Sequence, residues 1–125
     1  MTARRVAARV TANFERNLRD IRSFLEGAGV MAEFDRLVAH LLDEVIPTVE
    51  QFPDLGTDFL AKSPLSVKGR ALFERIAREA GEKLSIRQLT DGDYILLYAV
   101  EKDTVYFLAI RHHRQLSFDF TAHWP

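Results

Sequence analysis

Two uncharged, apolar runs dominate the sequence: Tyr94 to Val100 (YILLYAV) and Thr104 to Ile110 (TVYFLAI), seven residues each, with only EKD between them. Crossing a bilayer takes about 20 consecutive apolar residues, so neither run is a membrane span. Their length and their tyrosine and β-branched content read instead as neighbouring strands of an antiparallel hairpin. Strand side chains alternate between faces, and here both faces are apolar. Such strands must be central in a sheet that is covered on both sides, or covered by helices on one side and by a partner on the other. A chain of 125 residues, 47% hydrophobic, can build one core around them, and disorder is not expected.

The rest of the chain supplies the cover. Leu84 to Leu89 forms a third run, joined to Tyr94 by TDGD at 90–93, which gives a three-stranded antiparallel meander with an EKDT turn at 101–104. At the other end, Val6, Ala8 and Val10 alternate with Arg5, Ala7 and Arg9, the period of a short strand over residues 4–11. Phe14, Leu18, Ile21 and Leu25 then recur at helical spacing, with Thr11 or Asn13 as cap and Gly27 and Gly29 as stop. Phe34, Leu37, Val38, Leu41, Leu42, Val45, Val49 and Phe52 continue a wider stripe to Pro53, and the two segments make a helical hairpin. Pro47 lies inside the second stripe. In an unbroken helix it would cost about 3 kcal/mol, which predicts a kink or two shorter helices. Residues 53–63 read as a loop, and Ser63-Pro64 starts a further helix that ends at Gly81. The expectation is one α+β domain over 1–125: N-terminal strand, helical hairpin, inserted helix at about 58–83, then the three-stranded antiparallel meander.

Charge and composition narrow the chemistry. The chain has no cysteine, which removes disulfides, thiolate nucleophiles and Cys-containing zinc sites. Its net charge is −1, with an excess of basic residues only in residues 1–26, where six arginines face three acids. Proteins that bind by neutralising several phosphates are usually far more basic. The N-terminus, MTARRVAARV, is charged from Arg4 and lacks an apolar signal region, so the expected address is the cytoplasm.

Titratable groups concentrate after the last apolar strand, in Arg111-His112-His113-Arg114-Gln115. Alternation puts Arg111 and His113 on one face, and His112 and Arg114 on the other, if the strand continues that far. Arg87, on the first strand of the meander, can approach them across the central strand. Arginine grips phosphate bidentately and histidine changes charge near neutral pH, so together they suit acid–base work on a phosphodiester. The same residues equally suit a strand that ends at solvent or pairs with acids such as Asp119. His40 reads as a boundary residue beside the helical stripe, and Tyr94, Tyr98 and Tyr106 as strand packing. His123 with His112 or His113 matches no known carboxylate–histidine metal spacing, so no metal or cofactor is expected.

Taken together, these features resemble the RelE/ParE superfamily of toxins from type II toxin–antitoxin modules. The resemblance rests on a strand and helical hairpin closing in EQFPDLG, then on SIRQLTDGDYILLYAVEKDTVYFLAIRHHRQ, whose end is similar to the R-H-x-R-[EQ] ending of ParE-like members. It covers most of the chain. Residues 58–83 depart from it, since typical members reach the second strand through a shorter loop. The resemblance implies a plasmid-stabilising, growth-inhibiting toxin that a cognate antitoxin neutralises in a hetero-oligomer, by one of two mechanisms. ParE-like members inhibit DNA gyrase by binding it. RelE-like members cut mRNA on the ribosome, in which case Arg87 and Arg111 would stabilise the phosphate with His113 as acid or base. With no lysine in the meander outside Lys102, no tyrosine beside the histidine pair and no net positive charge, the ParE-like, non-catalytic mechanism is favoured. An endoribonuclease, or a degenerate member that has lost toxicity, are the alternatives. On the ParE-like reading Arg111, His112, His113, Arg114 and the tail residues Phe118 and Phe120 form a partner-binding surface, with the arginines meeting acidic antitoxin side chains and the apolar tail offering an anchor.

Overall fold

The computed structural model describes residues 6–58 and 85–113. The helix expected after Pro64, and the tail with Arg114, Phe118 and Phe120, lie outside the described residues. Thr11 accepts the Phe14 amide at 3.3 Å and so starts α1 (Ala12–Gly27). Gly29, at φ +76°, ends it: the Gly29 and Val30 amides turn back to the carbonyls of Glu26 and Leu25. The second stripe buries Leu37, Leu41, Val45 and Val49, always four residues apart. In an uninterrupted α-helix four residues overshoot one turn by about 40°, so this series would wander round the axis. One π-helical turn, Leu41–Val45, resets the face, with the Ile46 N–H reaching the Leu41 carbonyl. It lies just ahead of Pro47. The break expected there is thus a widened turn between α2 (Met31–His40) and α3 (Ile46–Gln51), and Leu42 and Phe52, read from the sequence as part of the stripe, are exposed.

The strands are β1 (Ala7–Val10), β2 (Thr57–Asp58), β3 (Ser85–Asp91), β4 (Tyr94–Glu101) and β5 (Thr104–His112), in the sheet order β1-β5-β4-β3-β2. β1 runs parallel to β5, and β3, β4 and β5 form the expected antiparallel meander. β2 corrects the sequence reading, which treated this segment as loop: Thr57 pairs with Gln88 and Asp58 with Arg87. Two residues are too few for periodicity to register. The apolar runs are central, and both faces are used. Tyr94, Leu96, Tyr98 and Val100 with Val105, Phe107 and Ile110 pack on the helices, while Leu97, Ala99 and Ala109 are buried on the opposite face.

The sheet has one irregularity. Leu97 opposes Ala109 but Tyr98 opposes Phe107, which leaves Leu108 as an extra residue, a bulge, in β5. β1 reaches only as far as Phe107, so beyond it the outer edge of β5 has no neighbouring strand among the described residues. The start of α1 replaces that strand with side chains. Thr11 donates from its amide (3.2 Å) and its hydroxyl (2.8 Å) to the Phe107 carbonyl, Asn13 donates to the Leu108 carbonyl (2.9 Å), and Asn17 accepts from the Ile110 amide (3.1 Å). All three side chains are buried. The free edge of β1 is closed in the same manner by Glu50, whose carbonyl and carboxylate take the Val6 and Ala8 amides.

Asn17→Ala removes the acceptor of a buried amide. The expected loss is about 1–3 kcal/mol of unfolding free energy, read from urea denaturation; a variant as stable as the wild type would refute a structural role for this bond.

Candidate functional site

The bulge decides where the C-terminal cluster points. Beyond it the alternation of β5 is shifted by one, so that Ile110 and His112 join Val105 and Phe107 on the helix-covered face, opposite Leu96 and Tyr94. Arg111, opposite Ile95, falls on the other face. Burial lowers the pKa of its guanidinium. His112 and Arg111 therefore separate as alternation requires, but the strand ends at His112 and the expected pairing of Arg111 with His113 does not form. His113 instead turns toward the β3–β4 hairpin. Its amide donates to the Asp93 carbonyl (2.8 Å), its Nδ1 lies 3.2 Å from the same oxygen, and its ring centroid is 4.4 Å from that of His112. His112 in turn meets Tyr94 edge-on at 5.4 Å.

Arg87 does not join this group. It pairs with Tyr98, which puts it on the helix-covered face, opposite to Arg111. Two strand spacings and three residues of rise separate the two, roughly 14 Å. Arg87 donates from Nε to the Gly56 carbonyl (2.9 Å) and from Nη2 to the carbonyls of Gly56 and of Asp54. Its cross-strand neighbour Tyr98 serves the same loop: its hydroxyl accepts from the Gly56 amide (2.9 Å) and donates to the Pro53 carbonyl (2.9 Å). Burial raises the Tyr98 pKa, as befits a structural phenol rather than a base. Gly56 is required at this approach, since a Cβ there would lie 2.6 Å from the Gln88 carbonyl oxygen. The FPDLG segment is thus fastened to the sheet by the arginine and tyrosine of the strands that follow it.

α1, α2 and the β3–β4 turn enclose an open groove of about 730 Å³. Ile21, Leu37, Tyr94 and Ile110 give it an apolar floor, and its rim carries Asp20, Glu33, Asp91 and Asp93 against Arg36, His40 and His112. Glu33 and Arg36 form an exposed ion pair along α2. Phe24, at the open end, is 74% exposed. His40, read from the sequence as a boundary residue, ties α2 to β3: Nε2 lies 2.8 Å from Asp91 and Nδ1 3.1 Å from Glu44. Among the groups that sequence reasoning left out of the site, Asp93 reaches the histidine pair only through the fold; Asn13 was read only as a possible helix cap, and Asn17 carried no signal beyond its place beside the apolar stripe of α1.

The hydrogen bond to Asp91 raises the His40 pKa above its ordinary 6.5; desolvation opposes this, and the charges of Asp91 and Glu44 add to it. The protonated ring therefore stabilises the fold fully below pH 6.5, and the stabilisation is lost as pH rises through the folded-state value above 6.5. Wild-type stability should fall relative to His40→Gln as pH rises above 6.5, by no more than about 1 kcal/mol because the pair is partly exposed. Parallel stability–pH curves for the two proteins would refute the assignment.

Among the described residues no helix is long and apolar enough to cross a membrane. No curated protein matches the chain. A family match is present, to the family described as ParE toxin of type II toxin-antitoxin system, parDE, over residues 8–117. This span includes all but the first residues of the described fold, both segments that meet through Arg87 and Tyr98, and the whole Arg111–Gln115 cluster, and the α+β arrangement is that of a RelE/ParE-like domain. The chain belongs to the ParE toxin family of type II toxin–antitoxin systems.

Proposed function

We propose that the protein arrests growth by binding an essential enzyme, DNA gyrase, without performing chemistry itself, and that a cognate antitoxin neutralises it in a hetero-oligomer. The observation that carries this reading is the separation of Arg87 from Arg111. A phosphodiester-cleaving site needs its charge stabilisers and its acid or base within hydrogen-bond reach of one phosphate, about 3 Å from each reacting atom. Arg87 is committed to loop carbonyls on one face, and Arg111 stands on the other. The net charge of −1 points the same way, because RNA binding gains little from such a surface. A protein interface has no such requirement; it needs area, an apolar centre and complementary charge. Arg111, His112 and His113, with Arg114, Phe118 and Phe120 from the sequence, are the residues proposed to meet the partner.

Purified protein added to gyrase should inhibit supercoiling in proportion to its concentration, with total RNA from arrested cells intact. Unimpaired supercoiling at excess protein would overturn the gyrase target. Cleaved transcripts that Arg111→Ala and His113→Ala both abolish would establish the endoribonuclease in its place. Co-expression of a small acidic protein encoded beside this chain should restore growth and co-purify with it.

A further inference from the structure

We propose that Asp93, His112 and His113 form a site for one divalent transition-metal ion of the zinc class, at the mouth of the groove. Each residue offers one ligand atom, and these atoms lie within 4.8 Å of one another. Ligands around a tetrahedral zinc, each about 2.0–2.1 Å from the ion, lie roughly 3.4 Å apart. The difference is on the order of 1 Å, within reach of a small torsional change in side chains at the surface. The backbone that carries them is fixed by neighbouring bonds. Asp91 pairs with Tyr94 and Tyr94 with His112, and the His113 amide is bound to the Asp93 carbonyl at 2.8 Å. The Tyr94 ring against His112 limits its rotation.

The donor chemistry favours a metal over a simple ion pair. One histidine suffices to neutralise Asp93, and His113 stands 3.8 Å from its carboxylate. The second imidazole lies 4.4 Å from the first, tilted by 32°, and adds a further nitrogen donor. Two neutral imidazoles and a carboxylate are instead a nitrogen–oxygen set that suits Zn²⁺, and Co²⁺ or Ni²⁺ by the same criterion. His40 offers an internal comparison. Both its ring nitrogens are engaged by acids, Asp91 and Glu44, so it has no lone pair to spare for an ion in its charged form. Three protein ligands leave one position for water or for a donor from whatever molecule occupies the groove, since Asp93 and His112 are also part of its wall.

The test is isothermal titration of the full-length, tag-free protein with ZnCl₂. One equivalent should bind with a dissociation constant at or below about 10 µM, and zinc should raise the melting temperature measured against EDTA. His113→Ala and Asp93→Asn should each weaken binding at least about tenfold and abolish the thermal shift, with melting temperatures in EDTA close to that of the wild type. His40→Gln should bind zinc as the wild type does. Absence of saturable binding, retention of wild-type affinity in either ligand variant, or loss of affinity in His40→Gln would overturn the site.

Discussion

The rest of the structure depends on how β5 is completed once β1 ends. A sheet strand buried in the middle of a small domain cannot leave backbone donors and acceptors unmatched, because each unmet group costs about 1–3 kcal/mol. β1 is only four residues long, and β5 runs five residues beyond Phe107, the last residue it pairs with. Thr11, Asn13 and Asn17 meet that need from a helix instead of a strand. The consequence is tertiary. α1 is held against the edge of β5 by polar bonds as well as by the contact of Phe14 with Phe107, at 5.7 Å between ring centroids. The bulge at Leu108 belongs to the same solution, since it turns two successive carbonyls toward one helix terminus.

That bulge has an effect at the far end of the strand. A strand with regular alternation would carry Arg111 on the face of Val105 and Phe107, under the helices, where a buried cation would be costly. The extra residue moves Arg111 to the opposite face and brings His112 to the groove instead. A local repair of hydrogen bonding therefore decides which side chains line the cavity. The second fastening, by Arg87 and Tyr98, acts on the loop after α3 in the same currency of backbone groups: a guanidinium and a phenol take up Pro53, Asp54 and Gly56, and β2 then pairs along the edge of β3. Both devices use polar side chains to finish what short strands leave open.

This explains what the sequence could and could not disclose. Periodicity marks elements whose burial repeats, so the meander, the first strand and the helical hairpin are legible from Tyr94–Val100, Thr104–Ile110 and the Phe14–Leu25 stripe. Pro47 announces a break in the second helix, although nothing in the sequence says that a π-helical turn absorbs it. A bulge leaves no trace in composition, because Leu108 is as apolar as its neighbours. Without it the parity of every residue beyond is misassigned relative to the core, and with it the faces of Arg111 and His112 follow. β2 is too short to have a period. Arg87 was legible as an arginine on a strand facing the cluster only as long as the register was unknown; once Arg87 stands opposite Tyr98, it is three residues of rise away from Arg111 and on the other face. Asp93 is a turn residue by every local criterion, and its position beside two histidines is a property of the hairpin alone.

The fold divides the described part of the Arg111–Gln115 motif. In the sequence it is one dense patch of charge; in the fold its described members divide, Arg111 on one side of the sheet and the neighbouring rings of His112 and His113 at the groove and the β3–β4 turn. Chemistry on a phosphate requires convergence to within a few tenths of an ångström, and Arg87 and Arg111 stand on opposite faces of the sheet. Recognition of a protein surface requires only that charges occupy complementary positions over a wide area, which dispersal supports. The near-neutral net charge fits the same division, because local cations at separate places can each meet a partner's acid without making the whole surface attractive to nucleic acid. The bulge exchanges the faces of Arg111 and His112 without bringing them together. Which side chains meet at the end of β5 therefore depends on register as much as on which residues the strand ends with.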